Sequence, residues 1–113
     1  MKFKTTQKAV NAGYDKRISI GYCNIQTLLA GVDPVAYTAR REGWGADIYD
    51  MGGGVAIVTG YAPFGNVKPG YEIQRRYEEQ AREIRYDYSR TWEEMQAALQ
   101  ELLRQFVKEV TQK

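Results

Sequence analysis

Between Arg17 and Tyr61 the apolar residues recur mainly at every second position, whereas between Tyr71 and Val110 they recur every three to four. The divide is APFGNVKPG, residues 62–70, a stretch of turn-forming residues. A period of two belongs to a strand whose side chains alternate between faces, and a period near 3.6 to a helix with one apolar stripe. No all-strand or all-helix architecture accommodates both. The expected class is therefore α+β: a small antiparallel sheet with one or two short helices, followed by a C-terminal helical hairpin packed on it. At 113 residues the chain fits one domain, 1–66 being strand-rich and 71–111 carrying two amphipathic helices.

Within the first part, residues 2–10 read either as one strand or as a short strand near Phe3. In the second case Thr5 or Thr6 caps a brief helix, TQKAVNA, which Gly13 ends in a left-handed conformation. RISIGYC, residues 17–23, is β-branched and alternating and reads as a strand. Asn24 then suits the cap of a two-turn helix, IQTLLAG, closed by Gly31. After Asp33-Pro34 restores an extended chain, PVAYTAR, WGADIYD and GVAIVTGY follow as three strands. Trp44, Ala46 and Ile48 share one face of the second, with Asp47 and Tyr49 opposite. Val55, Ile57, Thr59 and Tyr61 share one face of the third, with Ala56 and Val58 on the other, so both of its faces are expected to be covered. A meander with helices on one side satisfies this pattern.

In the second part, Pro63 suits the second position of a turn and Pro69-Gly70 the centre of a type II turn. Ile73, Tyr77, Ala81, Ile84 and Tyr88 then form one helical stripe, supported by Glu72–Arg76 and Glu78–Arg82 pairs. YDYSR breaks this helix, and Thr91 with Glu94 forms a capping box for the next. Trp92, Met95, Leu99, Leu102, Leu103, Phe106 and Val110 make its stripe.

The three consecutive glycines, Gly52 to Gly54, invite a phosphate-loop reading, but the order is wrong for one. Phosphate cradles run strand, glycines, helix, and here the glycines lead into the strand VAIVTG. They read as a hairpin connection, where positive φ costs glycine no strain. Chemistry is limited most by the absence of histidine, the commonest general base and zinc ligand. Cys23, the lone cysteine, excludes an internal disulfide and a cysteine zinc cluster, and at the end of an apolar strand it reads as a buried thiol. Asp47 and Asp50, three apart, point to opposite strand faces rather than flanking one cleft. A non-enzymatic protein with no cofactor and no metal is expected. No run of about 18 apolar residues exists, nor an apolar stretch behind the N-terminal lysines, so a cytoplasmic protein without a membrane partner is expected.

Net charge is +2, unevenly spread. Lys2, Lys4, Lys8, Lys16 and Arg17, against Asp15 alone, give residues 1–17 a local charge of +4. They are the candidate nucleic-acid surface, although lysines along an edge strand also serve to deter edge-to-edge pairing. Nine tyrosines and two tryptophans make the chain rich in the residues that dominate binding hot spots. The candidate partner-binding set is Arg40, Arg41, Trp44, Asp47, Tyr49, Phe64 and Asn66.

ISIGYCNIQTLLAG, AYTARREGWGADIYD, VAIVTGYAPFGN and YEEQAREI carry a resemblance across nearly the whole chain. They resemble short uncharacterised proteins of bacterial conjugative and phage-like mobile elements. The resemblance implies a context in which small accessory proteins bind and block host machinery, including CRISPR and restriction systems. It assigns no residue a role. The expected function is thus a protein-binding inhibitor of host defence, of anti-CRISPR type, acting on a host protein or nucleoprotein complex. The alternative is a small nucleic-acid-binding module using the basic N-terminus, and a homodimer through the helical hairpin is a further option.

Overall fold

The structure, a computed structural model, describes residues 2–21, 23–39, 45–60 and 65–112. Trp44, Tyr61 and the Pro63 turn position lie outside these residues. The chain runs β1 (Phe3–Thr5), α1 (Gln7–Gly13), β2 (Lys16–Ile20), β3 (Ala36–Thr38), β4 (Ala46–Gly52), β5 (Val55–Gly60), α2 (Tyr71–Arg85) and α3 (Trp92–Thr111). Strand order is β1-β3-β4-β5-β2. This is the α+β arrangement expected, with the last two helices forming a C-terminal pair.

The sheet is mixed rather than purely antiparallel. β3–β4 and β4–β5 are antiparallel, but β1 pairs with β3 and β2 with β5 in parallel. Four strands therefore point one way, and β4 alone runs against them. The reason lies in α1, which carries the chain from one edge strand to the other, so β1 and β2 never meet. Thr6 caps α1 by accepting the Ala9 N–H at 3.1 Å, so both a strand and a helix occupy residues 2–13. Gly13 is the last helical residue and has no positive φ. Both sheet faces are covered, as the two apolar faces of β5 predict, but helices lie on both sides and not on one. Val10 of α1 joins Ala36, Ala46, Ile48, Ala56 and Val58 on the first face. On the second, Ile18, Ile20 and Ile57 pack with Tyr77, Ala81, Leu99, Leu102, Leu103 and Phe106 of the helix pair.

The triple glycine is the hairpin connection the sequence predicts. Gly52, Gly53 and Gly54 have φ of 82, 60 and 78°, values that side chains with a Cβ adopt only at a cost. Residues 23–31 differ from expectation: they form successive turns, not a two-turn helix, and Asn24 caps nothing. Its side-chain amide donates instead to Gln74 Oε1 at 2.9 Å. The N–H groups of Thr27 and Leu28 are taken by the carboxylate of Glu78, at 3.1 Å each. A residue of α2 thus supplies the cap that the local sequence lacks, and Glu78 is 4% exposed as a result.

Pro69-Gly70 is not a type II turn, since Gly70 has φ −65° and serves as the residue before α2. α2 ends earlier than its stripe suggests. Asp87 accepts from the Ser89 backbone at 3.1 Å, while the Arg90 N–H reaches the Asp87 carbonyl at 3.2 Å. This local turn competes with continued helix and leaves Tyr88 outside it. The capping box that starts α3 is formed in both directions, Glu94 N–H to Thr91 Oγ1 at 3.1 Å and Thr91 N–H to Glu94 Oε1 at 2.8 Å. That second bond holds the Glu94 carboxyl below its ordinary pKa.

Candidate protein-interaction site

Of the sequence-predicted binding set, Arg40, Arg41, Trp44 and Phe64 lie outside the described residues. The other three have separate duties. Asp47 projects from β4 on the face that α2 and α3 cover, where Lys2 Nζ meets its Oδ1 at 2.9 Å. Lys2 also stands 5.7 Å from the centre of the Tyr37 ring. Contact with Asp47 raises the Lys2 pKa. Tyr49, two residues along the same face, packs half-buried against the main core cluster. Asn66 sits beyond β2, accepting the Arg17 N–H at 2.7 Å and donating to the Asp15 carbonyl at 2.8 Å. Two strands separate it from Asp47, or roughly 14 Å at ordinary strand spacing. The structure brings Asp47 and Tyr49 together and leaves Asn66 apart.

The five basic residues of the alternative set are also divided. Lys2 and Lys4 belong to the β1 edge, Lys8 to α1, and Lys16 and Arg17 to β2 at the opposite edge. Four strand spacings, about 19 Å, separate the two edges. Lys16 Nζ donates to the Thr111 carbonyl at 3.1 Å, tying the end of α3 to the sheet. The Arg17 guanidinium donates to the Tyr14 carbonyl at 2.7 Å. They do not make one cationic surface.

Cys23 is exposed, not buried, and has φ 79°. The strand that was to bury it stops at Ile20. It lines a groove of about 310 Å³ with Gln26, Asp47, Tyr49 and Thr59.

Exposed aromatic residues lie elsewhere: Tyr71 at the start of α2 and Phe3 on β1 stand apart, whereas three gather at the tip of the helix pair. Tyr86, Tyr88 and Trp92 are 60, 87 and 66% exposed. Tyr86 follows the last residue of α2, Tyr88 stands on the Asp87–Ser89 turn, and Trp92 opens α3, about two turns before Leu99, the first buried residue of that helix. Arg85 lies 5.6 Å from the Tyr86 ring and has no carboxylate partner among the described residues. Arg90 is paired with Asp87 at 3.3 Å. Beside them a cleft of about 430 Å³ is lined by Arg85, Tyr88, Trp92, Gly31 and Gln96. Gln96 Oε1 is buried there without a hydrogen-bond partner.

Sequence reasoning assigned Tyr88 and Trp92 to core stripes and so missed this surface. A signal was present in YDYSRTW: aromatic residues on both sides of an Asp-x-Ser break cannot all follow one helical face. The tip is near-neutral and aromatic, a composition suited to contact with a protein. Among the described residues no group of three or more Cys, Asp or Glu could hold a metal, and no helix is long and apolar enough to cross a membrane. Comparison with known protein families, curated proteins and solved structures gives no match to this chain.

Proposed function

We propose that the protein is a non-catalytic, cytoplasmic accessory protein that acts by binding another protein, with the tip of the α2–α3 pair as its contact surface. The observation that carries this reading is the exposure of Tyr86, Tyr88 and Trp92 beside Arg85. Burying such side chains supplies binding free energy, whereas leaving them in water serves no purpose within the chain. The concrete form is an inhibitor of host defence, of anti-CRISPR type. This rests on the resemblance to mobile-element proteins together with the lack of histidine and the near-neutral tip.

The test compares the native chain with a Tyr88→Ala/Trp92→Ala double variant in affinity capture from a nuclease-treated bacterial lysate. The expected result is a stoichiometric protein retained by the native chain and lost by the variant, with thermal unfolding unchanged. Each truncation should weaken binding by roughly 1–3 kcal/mol. Equal retention by both proteins rejects the tip as the surface. Retention that disappears with nuclease and with rising salt supports the nucleic-acid alternative through the N-terminal lysines instead.

A further inference from the structure

The cleft at the tip of the helix pair holds donors for which the chain supplies no acceptor. Oε1 of Gln96 is turned inward against Gly31, where an added Cβ would overlap it, so Nε2 is the half of the amide left to the cleft. That nitrogen donates to no described residue. Arg85, Asp87 and Arg90 are the charged residues that line the cleft. Asp87 accepts from Ser89 and is paired with Arg90 at 3.3 Å, which leaves the Arg85 charge over. The Tyr86 ring, 5.6 Å from the guanidinium, attracts the cation without neutralising it.

We propose that this cleft receives an acidic side chain of the protein partner, its carboxylate taken by the Arg85 guanidinium and Gln96 Nε2 and its apolar neighbours laid on Trp92. The inference deepens the reading of the tip as a contact surface and rests on it. A partner that covers Tyr88 and Trp92 also removes water from Arg85 and from the Gln96 amide. Donors stripped of water without an acceptor cost binding free energy, so an apolar occupant loses part of what burial of the rings supplies. A carboxylate satisfies both donors, and its bonds to a guanidinium are charge-assisted. A basic occupant finds Asp87 already engaged and meets Arg85 as a like charge.

The probes are three blocked tripeptides in which glutamate, glutamine or lysine stands between two leucines. Each is titrated into the isotope-labelled full chain, and nuclear magnetic resonance reads the Gln96 side-chain amide, the Arg85 Nε–H and the Trp92 indole N–H. The glutamate peptide should shift all three signals and bind roughly three-fold or more tightly than the glutamine peptide, with the difference shrinking as salt rises. Arg85→Gln should abolish that preference. Gln96→Leu, which removes a buried acceptor without a partner, should weaken it while leaving the thermal midpoint in place. Equal affinity for the glutamate and glutamine peptides at the tip overturns the acidic occupant and leaves the tip as a contact surface. Tighter binding of the lysine peptide overturns it by making Asp87 the group that reads the partner. Absence of shifts at these signals with every peptide also overturns it, whereas the contact surface itself is decided by the Tyr88→Ala/Trp92→Ala capture.

Discussion

Glu78 shows how one side chain can settle the conformation of a segment distant in sequence. Its carboxylate accepts the Thr27 and Leu28 N–H groups, and Arg82 Nε lies 3.3 Å from its Oε2. Leu28 is buried, so loss of the acceptor leaves backbone donors away from water. Glu78→Ala should therefore destabilise the protein by about 3 kcal/mol in urea denaturation, and Glu78→Gln by less, since the amide keeps one accepting oxygen. Tyr77, one residue earlier, packs edge-on against Phe106 with ring centres 5.1 Å apart and donates to Glu109 Oε1 at 2.6 Å. Burial, then the Glu109 hydrogen bond and charge, push its phenol up to about 12. In the unfolded chain a tyrosine ionises near pH 10. Between these values the unfolded chain releases a proton that the folded one keeps, so the Tyr77 contribution is complete below pH 10 and lost as pH rises toward 12. Stability measured across that window should fall, and Tyr77→Phe should flatten the fall.

At the scale of elements, local chemistry accounts for some boundaries and not for others. The Thr91–Glu94 box is encoded within four residues, and the start of α3 is where the sequence places it. The end of α2 is set by competition, the Asp87–Ser89 turn winning over one more helical turn that would have taken in Tyr88. The glycines separate into two kinds. Gly53 needs φ 60° in the β4–β5 turn, whereas Gly13 ends α1 with ordinary φ and open space around its Cα. Gly53→Ala should cost about 1 kcal/mol, and Gly13→Ala should gain up to about 1 kcal/mol by restricting the unfolded chain. Thermal unfolding of the two variants should thus move in opposite directions. The i,i+4 pairs are less fixed than their spacing implies. Glu78–Arg82 forms, but Arg76 turns from Glu72 to Glu109 on α3, at 2.7 Å, and so joins the two helices instead of bracing one.

For the whole molecule, the helix pair and the sheet share one core, with Phe106 fully buried among Ile18, Ile20 and Ile57. Phe106→Ala should cost about 3–5 kcal/mol, a large part of the roughly 5–15 kcal/mol that holds a domain together. Its urea midpoint should drop without a second transition appearing. The sequence alone determined the class, the strand segments, the glycine turn, the box at Thr91 and most of the α3 stripe. Each of these follows from periodicity or from residues within a few positions of one another. Only the tertiary structure decided that the sheet is mixed, because strand order depends on where α1 carries the chain. It likewise decided that Glu78, not Asn24, caps residues 27 and 28. The surface was least legible for the same reason. An aromatic residue's identity is the same in a core and at a tip, and exposure of Tyr88 and Trp92 follows from where the two helices end relative to the sheet they cover. Periodicity tells which face of a helix is apolar; only packing tells how far along the helix that face is buried.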